Sequence, residues 1–407
     1  MIGRMIIKRS QMKNKNHWIC LLQMEGVTAR IRSSGEDVSL SLLGRVGVGL
    51  LLCLILCGCI TEYKPKGIDE VAEILVVEGI ITDDESYITL SRSVTMSEAD
   101  ASWMSTQYVR NASVFVECDD NTRIAGYPDY NAGFNGGRYV IHTGKLNPER
   151  QYRLQIEIDA IEYRSEFSYP MQTPEIDSIF WMKRDRGQPV MIYVATHDPE
   201  GQIQFYRWSY KEDWEYHSDV YLDGYPFYCW SMSSNKDIML GSTEKTVIGK
   251  LMDKVIEISP YDRKLSYLYR IDIKQNLISK KAYDYFSNIK KNTQQTGSIF
   301  APIPSELRGN ISCVTDPVRP VIGFVDVSST TQKQQYIRHN GIYESSYDDE
   351  CEIYDLPQLL EMYERIPPDF VEYEPKAKPP TYVRQKCVEC THYGGSTQKP
   401  EDWTNNY

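Results

Sequence analysis

The chain of 407 residues is poor in histidine, lacks a spanning-length apolar run, and carries none of the short motifs that mark the common catalytic sites. A membrane-crossing helix needs about 20 apolar residues, and the one conspicuous run, residues 46–56, has 11. A helical multi-span protein is therefore not indicated. With 41% hydrophobic and 25% charged residues the composition is that of a globular chain, so wholesale disorder is not indicated either. There is no G-x-S-x-G elbow, H-E-x-x-H, P-loop or G-x-G-x-x-G, and the chemistries those patterns serve have no starting point here. Five of the six histidines, His142, His197, His217, His339 and His392, lie beyond residue 59, each isolated in sequence. They read as ordinary surface or strand residues. No enzymatic activity, metal or cofactor is expected.

What is present begins with that apolar run. VGVGLLLCLIL follows Arg45 and precedes Cys57, Gly58 and Cys59. It is too short to span a bilayer but fits the apolar region of a signal peptide. A lipoprotein signal peptidase needs a branched apolar residue three before the cut, small residues next, and cysteine just after. Leu56, Cys57, Gly58 and Cys59 supply that order, whereas bulky Leu56 directly before Cys57 disqualifies Cys57 as acceptor. Polar TEYKPKG follows at once and argues against a buried strand. Residues 1–58 are thus expected to be removed and Cys59 to carry lipid, palmitate included, that anchors the chain to a bacterial outer membrane. Residues 1–45 are long for the segment before a signal core, and Met24 offers a later start. After the cut, 37 Lys and Arg face 53 Asp and Glu, a net charge of -16. So acidic a body is repelled by nucleic acid and anionic lipid, and a covalent tether overcomes the second repulsion.

Six cysteines follow the acceptor: Cys118, Cys229, Cys313, Cys351, Cys387 and Cys390. In an exported chain an even set points to disulfides, with the pairing left open. Cys387, Cys390 and His392 could begin a metal site, but structural zinc wants four ligands. Thr391 intervenes where haem attachment needs histidine, and no thioredoxin-like unit surrounds the C-x-x-C. Disulfides are the expected use, stapling the tail.

Along the chain, residues 59–71 read as a tether. Residues 72–175 hold five to seven short strand-like runs, starting with a hairpin around TDDES, in the pattern of an immunoglobulin- or fibronectin-like sandwich. In QYRLQIEID, Tyr152, Leu154, Ile156 and Ile158 alternate with polar residues, which predicts one buried face. Residues 176–337 read as a second β-sandwich-like domain with an inserted amphipathic helix near 280–295, capped by Ser279 and presenting Ala282, Tyr285, Phe286 and Ile289. Residues 338–407 form an acidic, proline-rich, cysteine-containing irregular tail.

Between Phe205 and Trp230, 11 of 26 residues are aromatic. Tyr206, Trp208 and Tyr210 share one strand face by their spacing; with Trp214, Tyr221 and Trp230 they form either core or an exposed stacking platform for sugar, peptide or protein. Glu212, Asp213, Glu215 and Asp219 would suit a cationic ligand or basic partner.

The ordered series LVVEGIITD, AYDYFSNIKKNTQQTGSIF, PSELRGNISCV, VIGF and CVECTHYGGSTQKPEDW resembles the Bacteroidota lipoprotein family catalogued as domain of unknown function 4249, across residues 59–407. The resemblance implies an envelope lipoprotein encoded beside TonB-dependent transporters of the SusC type, and no site residues. The expected role is a lipid-anchored accessory binding protein of such a transporter. A structural or assembly factor of the envelope is the alternative, with an exported hydrolase third.

Overall fold

The computed structural model describes residues 74–93, 107–130, 136–235, 237–246, 249–294, 309–344, 351–400 and 402–404. The expected signal peptide, Cys59 and the tether lie outside them. The hairpin read around TDDES is present: β1 (Leu75–Ile80) and β2 (Asp84–Arg92) pair antiparallel. β3 (Gln107–Tyr108), β4 (Ser113–Cys118), β5 (Arg123–Pro128), β6 (Arg138–Gly144), β7 (Tyr152–Ile158) and β8 (Ile161–Ser165) follow. Tyr152, Leu154, Ile156 and Ile158 of β7 are all buried, as their alternation predicts.

These eight strands join two from much later, β16 (Ile311–Cys313) and β17 (Val321–Gly323), in a ten-stranded sheet. Its order is β16-β8-β7-β4-β5-β6-β2-β1-β17, with β3 on β2. Strands from both halves of that order, such as Val114 and Leu154 on one side and Ile88 and Tyr139 on the other, fill one core. The sheet therefore folds over on itself as a sandwich. Segment 311–323 ties its two ends: Cys313 pairs opposite Tyr163, and Val321 pairs in parallel with Leu75. The sequence reading placed this segment in the 176–337 domain, because alternation marks a strand without naming its sheet.

The second sandwich sets a three-stranded sheet against a five-stranded one. β9 (Ile176–Met182), β10 (Val190–His197) and β14 (Lys250–Ile258) make the first, in the order β14-β10-β9. The second comprises β11 (Phe205–His217), β12 (Tyr228–Ser234), β13 (Met239–Ser242), β15 (Leu268–Leu277) and β18 (Thr330–Arg338). Its order is β12-β11-β15-β18, with β13 also on β11. Ile179, Ile192 and Val194 from the smaller sheet meet Trp208, Tyr269, Ile271 and Ile273 from the larger in a second core.

The helix expected near 280–295 is α1 (Lys280–Gln294). Ser279 Oγ accepts the Ala282 N–H at 3.2 Å, which satisfies one orphan donor of the first turn. Ala282 and Tyr285 pack with Phe205, Ile278 and Phe324, and Ile80 and Leu240 join them, so one apolar cluster holds residues of both sandwiches and the helix.

The tail is more regular than its proline content suggests. β19 (Tyr354–Asp355), β20 (Phe370–Glu374) and β21 (Thr381–Arg384) form a small sheet beside α2 (Leu356–Met362) and α3 (Gln385–Val388). Asp355 and Gln358 close a reciprocal capping box at the start of α2. Two disulfides are present, Cys229–Cys390 and Cys351–Cys387.

Two of the six candidate cysteines do not pair. Cys118 and Cys313 are buried free thiols, and β7 and β8 lie between their strands. Three strand spacings amount to roughly 14 Å, against about 4.4 to 6.8 Å between Cα atoms for a disulfide.

Candidate aromatic binding site

β11 runs through the middle of the five-stranded sheet, and its residues alternate between two very different faces. Tyr206, Trp208 and Tyr216 point into the interior and are at most 2% exposed. The Tyr206 and Trp208 rings stack at 5.8 Å. The Trp208 indole N–H donates to Gln275 Oε1 at 2.8 Å, and Gln275 in turn donates to Thr196 Oγ1 at 3.1 Å. Burial pushes the Tyr206 and Tyr210 phenols up to about 12. Trp214 packs against the same core, beneath the Lys264 ammonium 4.7 Å from its ring. Lys264 also donates to buried Glu212 at 2.5 Å, and Tyr269 donates to that carboxylate at 2.8 Å. The strand face of Tyr206, Trp208 and Tyr210 is therefore core, and it offers no stacking platform.

The other face of β11 carries Arg207, Ser209, Lys211, Asp213, Glu215 and His217. Asp402 and Trp403 of the tail lie across part of it. Arg270, opposite Asp213 on β15, donates to Asp213 Oδ2 at 2.8 Å and reaches Asp402 at 2.9 Å. These carboxylates raise its guanidinium pKa against the opposing effect of burial. Trp403 is buried beside Arg270, its ring 5.3 Å from the guanidinium carbon. Its indole N–H donates to Glu215 Oε2 at 3.1 Å.

Beyond this clasp the face turns aromatic. His217 Nε2 lies 3.1 Å from Glu215 Oε1, and its ring is surrounded by Tyr267 at 4.0 Å, Tyr228 at 4.8 Å and Phe227 at 5.1 Å. Tyr221 extends the group, edge-on to Phe227 at 5.4 Å. Tyr221, Tyr228 and Tyr267 are 62%, 52% and 42% exposed. A patch of large rings each with a polar end is the composition of an interface centre.

The stapled tail holds this patch in place. Cys229, next to Tyr228, is bonded to Cys390, and Cys390 N–H donates to Pro226 O at 3.0 Å. Val220 N–H donates to Cys387 O at 2.9 Å, so the loop 218–227 is gripped at both ends. Cys387 and Cys390 are thus consumed by two disulfides with different partners, which withdraws their thiolates from metal binding.

Of the six aromatic residues singled out in the sequence, only Tyr221 belongs to the exposed patch. Trp230 is partly covered, its backbone bridged to Ser396 of the tail by two 2.8 Å hydrogen bonds. Phe227, Tyr228, Tyr267 and His217 make up the rest. The signal for His217 lay in the alternation of β11, which sets it on the face opposite Trp208. Among the described residues no three His, Cys, Asp or Glu gather in a way that could hold a metal.

No curated protein matches this chain. The family whose description is Domain of unknown function (DUF4249) matches residues 60–334, from before β1 into β18, and the protein belongs to that family.

Proposed function

We propose that the protein is a lipid-anchored binding protein of the bacterial cell envelope, tethered through Cys59, whose aromatic patch docks on a SusC-type TonB-dependent outer-membrane transporter. The observation that carries this reading is the exposed set of Tyr221, Tyr228 and Tyr267 grouped with half-buried Phe227 and His217, beside a loop gripped by disulfide-bonded segments. Rings already held in position lose little entropy when a partner covers them, which favours binding. The lipid anchor is supported by the apolar run ending in Leu56, Cys57, Gly58 and Cys59. The choice of transporter rests on the family resemblance.

Copurification from solubilised membranes tests it. Tyr221→Ala and Tyr228→Ala each remove an exposed ring and should cost about 2 kcal/mol or more of binding if the ring is an anchor, with melting temperature little changed. Cys59→Ala should abolish palmitate incorporation and leave an uncut precursor. A stable complex that contains envelope proteins but no transporter would mark a structural or assembly factor instead. Normal palmitate labelling of the Cys59 variant would overturn the anchor.

A further inference from the structure

The tail covers only one end of the polar face of the five-stranded sheet. At the other end the face stays open. Arg207 stands opposite Asn276, which stands opposite Thr330; Ser209, Lys274 and Gln332 form the next row across the same three strands. The β1–β2 hairpin rises beside them as a wall, enclosing a cleft of about 510 Å³. Small-molecule sites fall in the range of roughly 300 to 1,000 Å³.

Charge is distributed unevenly around this cleft. Carboxylates of the wall are already engaged: Asp83 Oδ1 accepts Leu146 N–H at 2.9 Å, and Glu85 Oε2 accepts the Tyr87 hydroxyl at 2.6 Å. Asp84 stands exposed at the turn. The cations of the floor have no such partner. Among the described residues the side chains of Arg207 and Lys274 form no ion pair and no hydrogen bond.

The Arg207 guanidinium lies 4.5 Å from the Phe286 ring of α1. Burial lowers its pKa, and the Glu78 charge only partly opposes that. Arg207 is half-buried at the cleft, and a partly desolvated guanidinium favours a carboxylate or phosphate partner. Stacked on a ring, it uses one face and keeps its in-plane N–H edges for such an oxyanion.

The neighbouring groups add a second requirement. The Asn276 amide NH₂ is committed to Ser329 O at 3.2 Å and Thr330 Oγ1 at 2.7 Å, which leaves Asn276 Oδ1 as an acceptor. Ser209 is exposed beside it and can donate or accept. An occupant that carries hydroxyl donors as well as an oxyanion therefore fits best. The acidic wall, on a chain of net charge -11, disfavours a polyanion.

We propose that this cleft binds a small hydroxylated molecule through one oxyanion group, carboxylate or phosphate, seated between Arg207 and Lys274, with its hydroxyls meeting Ser209 and Asn276. The site is independent of the anchor and of the docking patch, which lies beyond the tail clasp at the opposite end of β11.

Calorimetric titration of the full chain at low salt tests it, with gluconate, glucose 6-phosphate and neutral glucose as probes. Gluconate, glucose 6-phosphate or both should bind saturably while glucose does not, and the tighter of the two identifies the oxyanion. Arg207→Gln should weaken that binding at least about tenfold, and Lys274→Gln should weaken it to a smaller degree. Lys274 is exposed, so its variant remains informative if Arg207→Gln fails to fold. Lys254→Gln, on the distant β14, should leave binding unchanged. Absence of saturable binding for both oxyanions, equal binding of glucose, or indifference to the Lys274 and Arg207 changes would overturn the proposal.

Discussion

Trp403 donates its indole N–H to the buried Oε2 of Glu215 at 3.1 Å, across 188 residues of sequence. The other carboxylate oxygen of Glu215 faces His217, so the turn that carries Trp403 and the aromatic patch share one buried anion. A carboxylate this far from water depends on such partners. The tail is thereby a structural part of the second sandwich.

Trp403→Phe keeps an aromatic ring but leaves Glu215 Oε2 without its donor, and should destabilise the fold by about 1 to 3 kcal/mol. Trp403→Ala also removes the ring packed on Arg270 and Tyr336 and should cost more, about 3 to 5 kcal/mol. Urea unfolding of the two variants checks the order. Wild-type stability in both would mean the clasp contributes nothing.

Mass spectrometry of a non-reduced digest should show Cys229 joined to Cys390 and Cys351 to Cys387, with Cys118 and Cys313 alkylated only after unfolding. The cross-links span 161 and 36 residues. On chain-entropy grounds, removing the longer one should cost about 1 kcal/mol more than removing the shorter. Paired Cys→Ser variants of each bridge, compared by denaturant midpoint, measure the difference.

Core and patch rings should separate cleanly on mutation. Trp208→Ala empties a buried site and leaves Gln275 Oε1 without its donor, a loss of about 3 to 5 kcal/mol. Tyr221→Ala alters an exposed ring and should leave the melting temperature nearly unchanged. If the two variants melt together, the division of this aromatic stretch into two faces is wrong.

Asp326 gives the fold a pH dependence of definite sign. It is buried, its Oδ2 accepts the Ser279 N–H at 2.7 Å before α1, and burial raises its carboxyl pKa above the ordinary value. The folded state therefore holds this proton more tightly than the unfolded chain. The resulting stabilisation is full below the ordinary carboxyl range and is lost as pH rises through the raised folded value. Asp326→Asn keeps an acceptor and does not titrate. Its stability relative to wild type should grow between about pH 4 and pH 7, read by urea unfolding at a series of pH values. A constant difference across that range would refute the assignment.

Several of these features were legible in the sequence because their causes are local. The alternation of Tyr152, Leu154, Ile156 and Ile158 marks β7, and Ser279 followed by Ala282 and Tyr285 marks the start and buried side of α1. Strand pleat and helix turn repeat within a few residues, so side-chain order alone reports them. The β11 alternation also divided Trp208 from His217, though not which face was core. Tertiary structure decided that, by laying the three-stranded sheet over Tyr206 and Trp208 and bringing Tyr267 to His217. It likewise chose Cys229, and not Cys118 or Cys313, as the partner of Cys390, a pairing the sequence leaves open. It returned segment 311–323 to the first sandwich and carried Trp403 to Glu215. Contacts between residues so distant in sequence depend on how whole sheets close around a shared core, and no short window of sequence contains that closure.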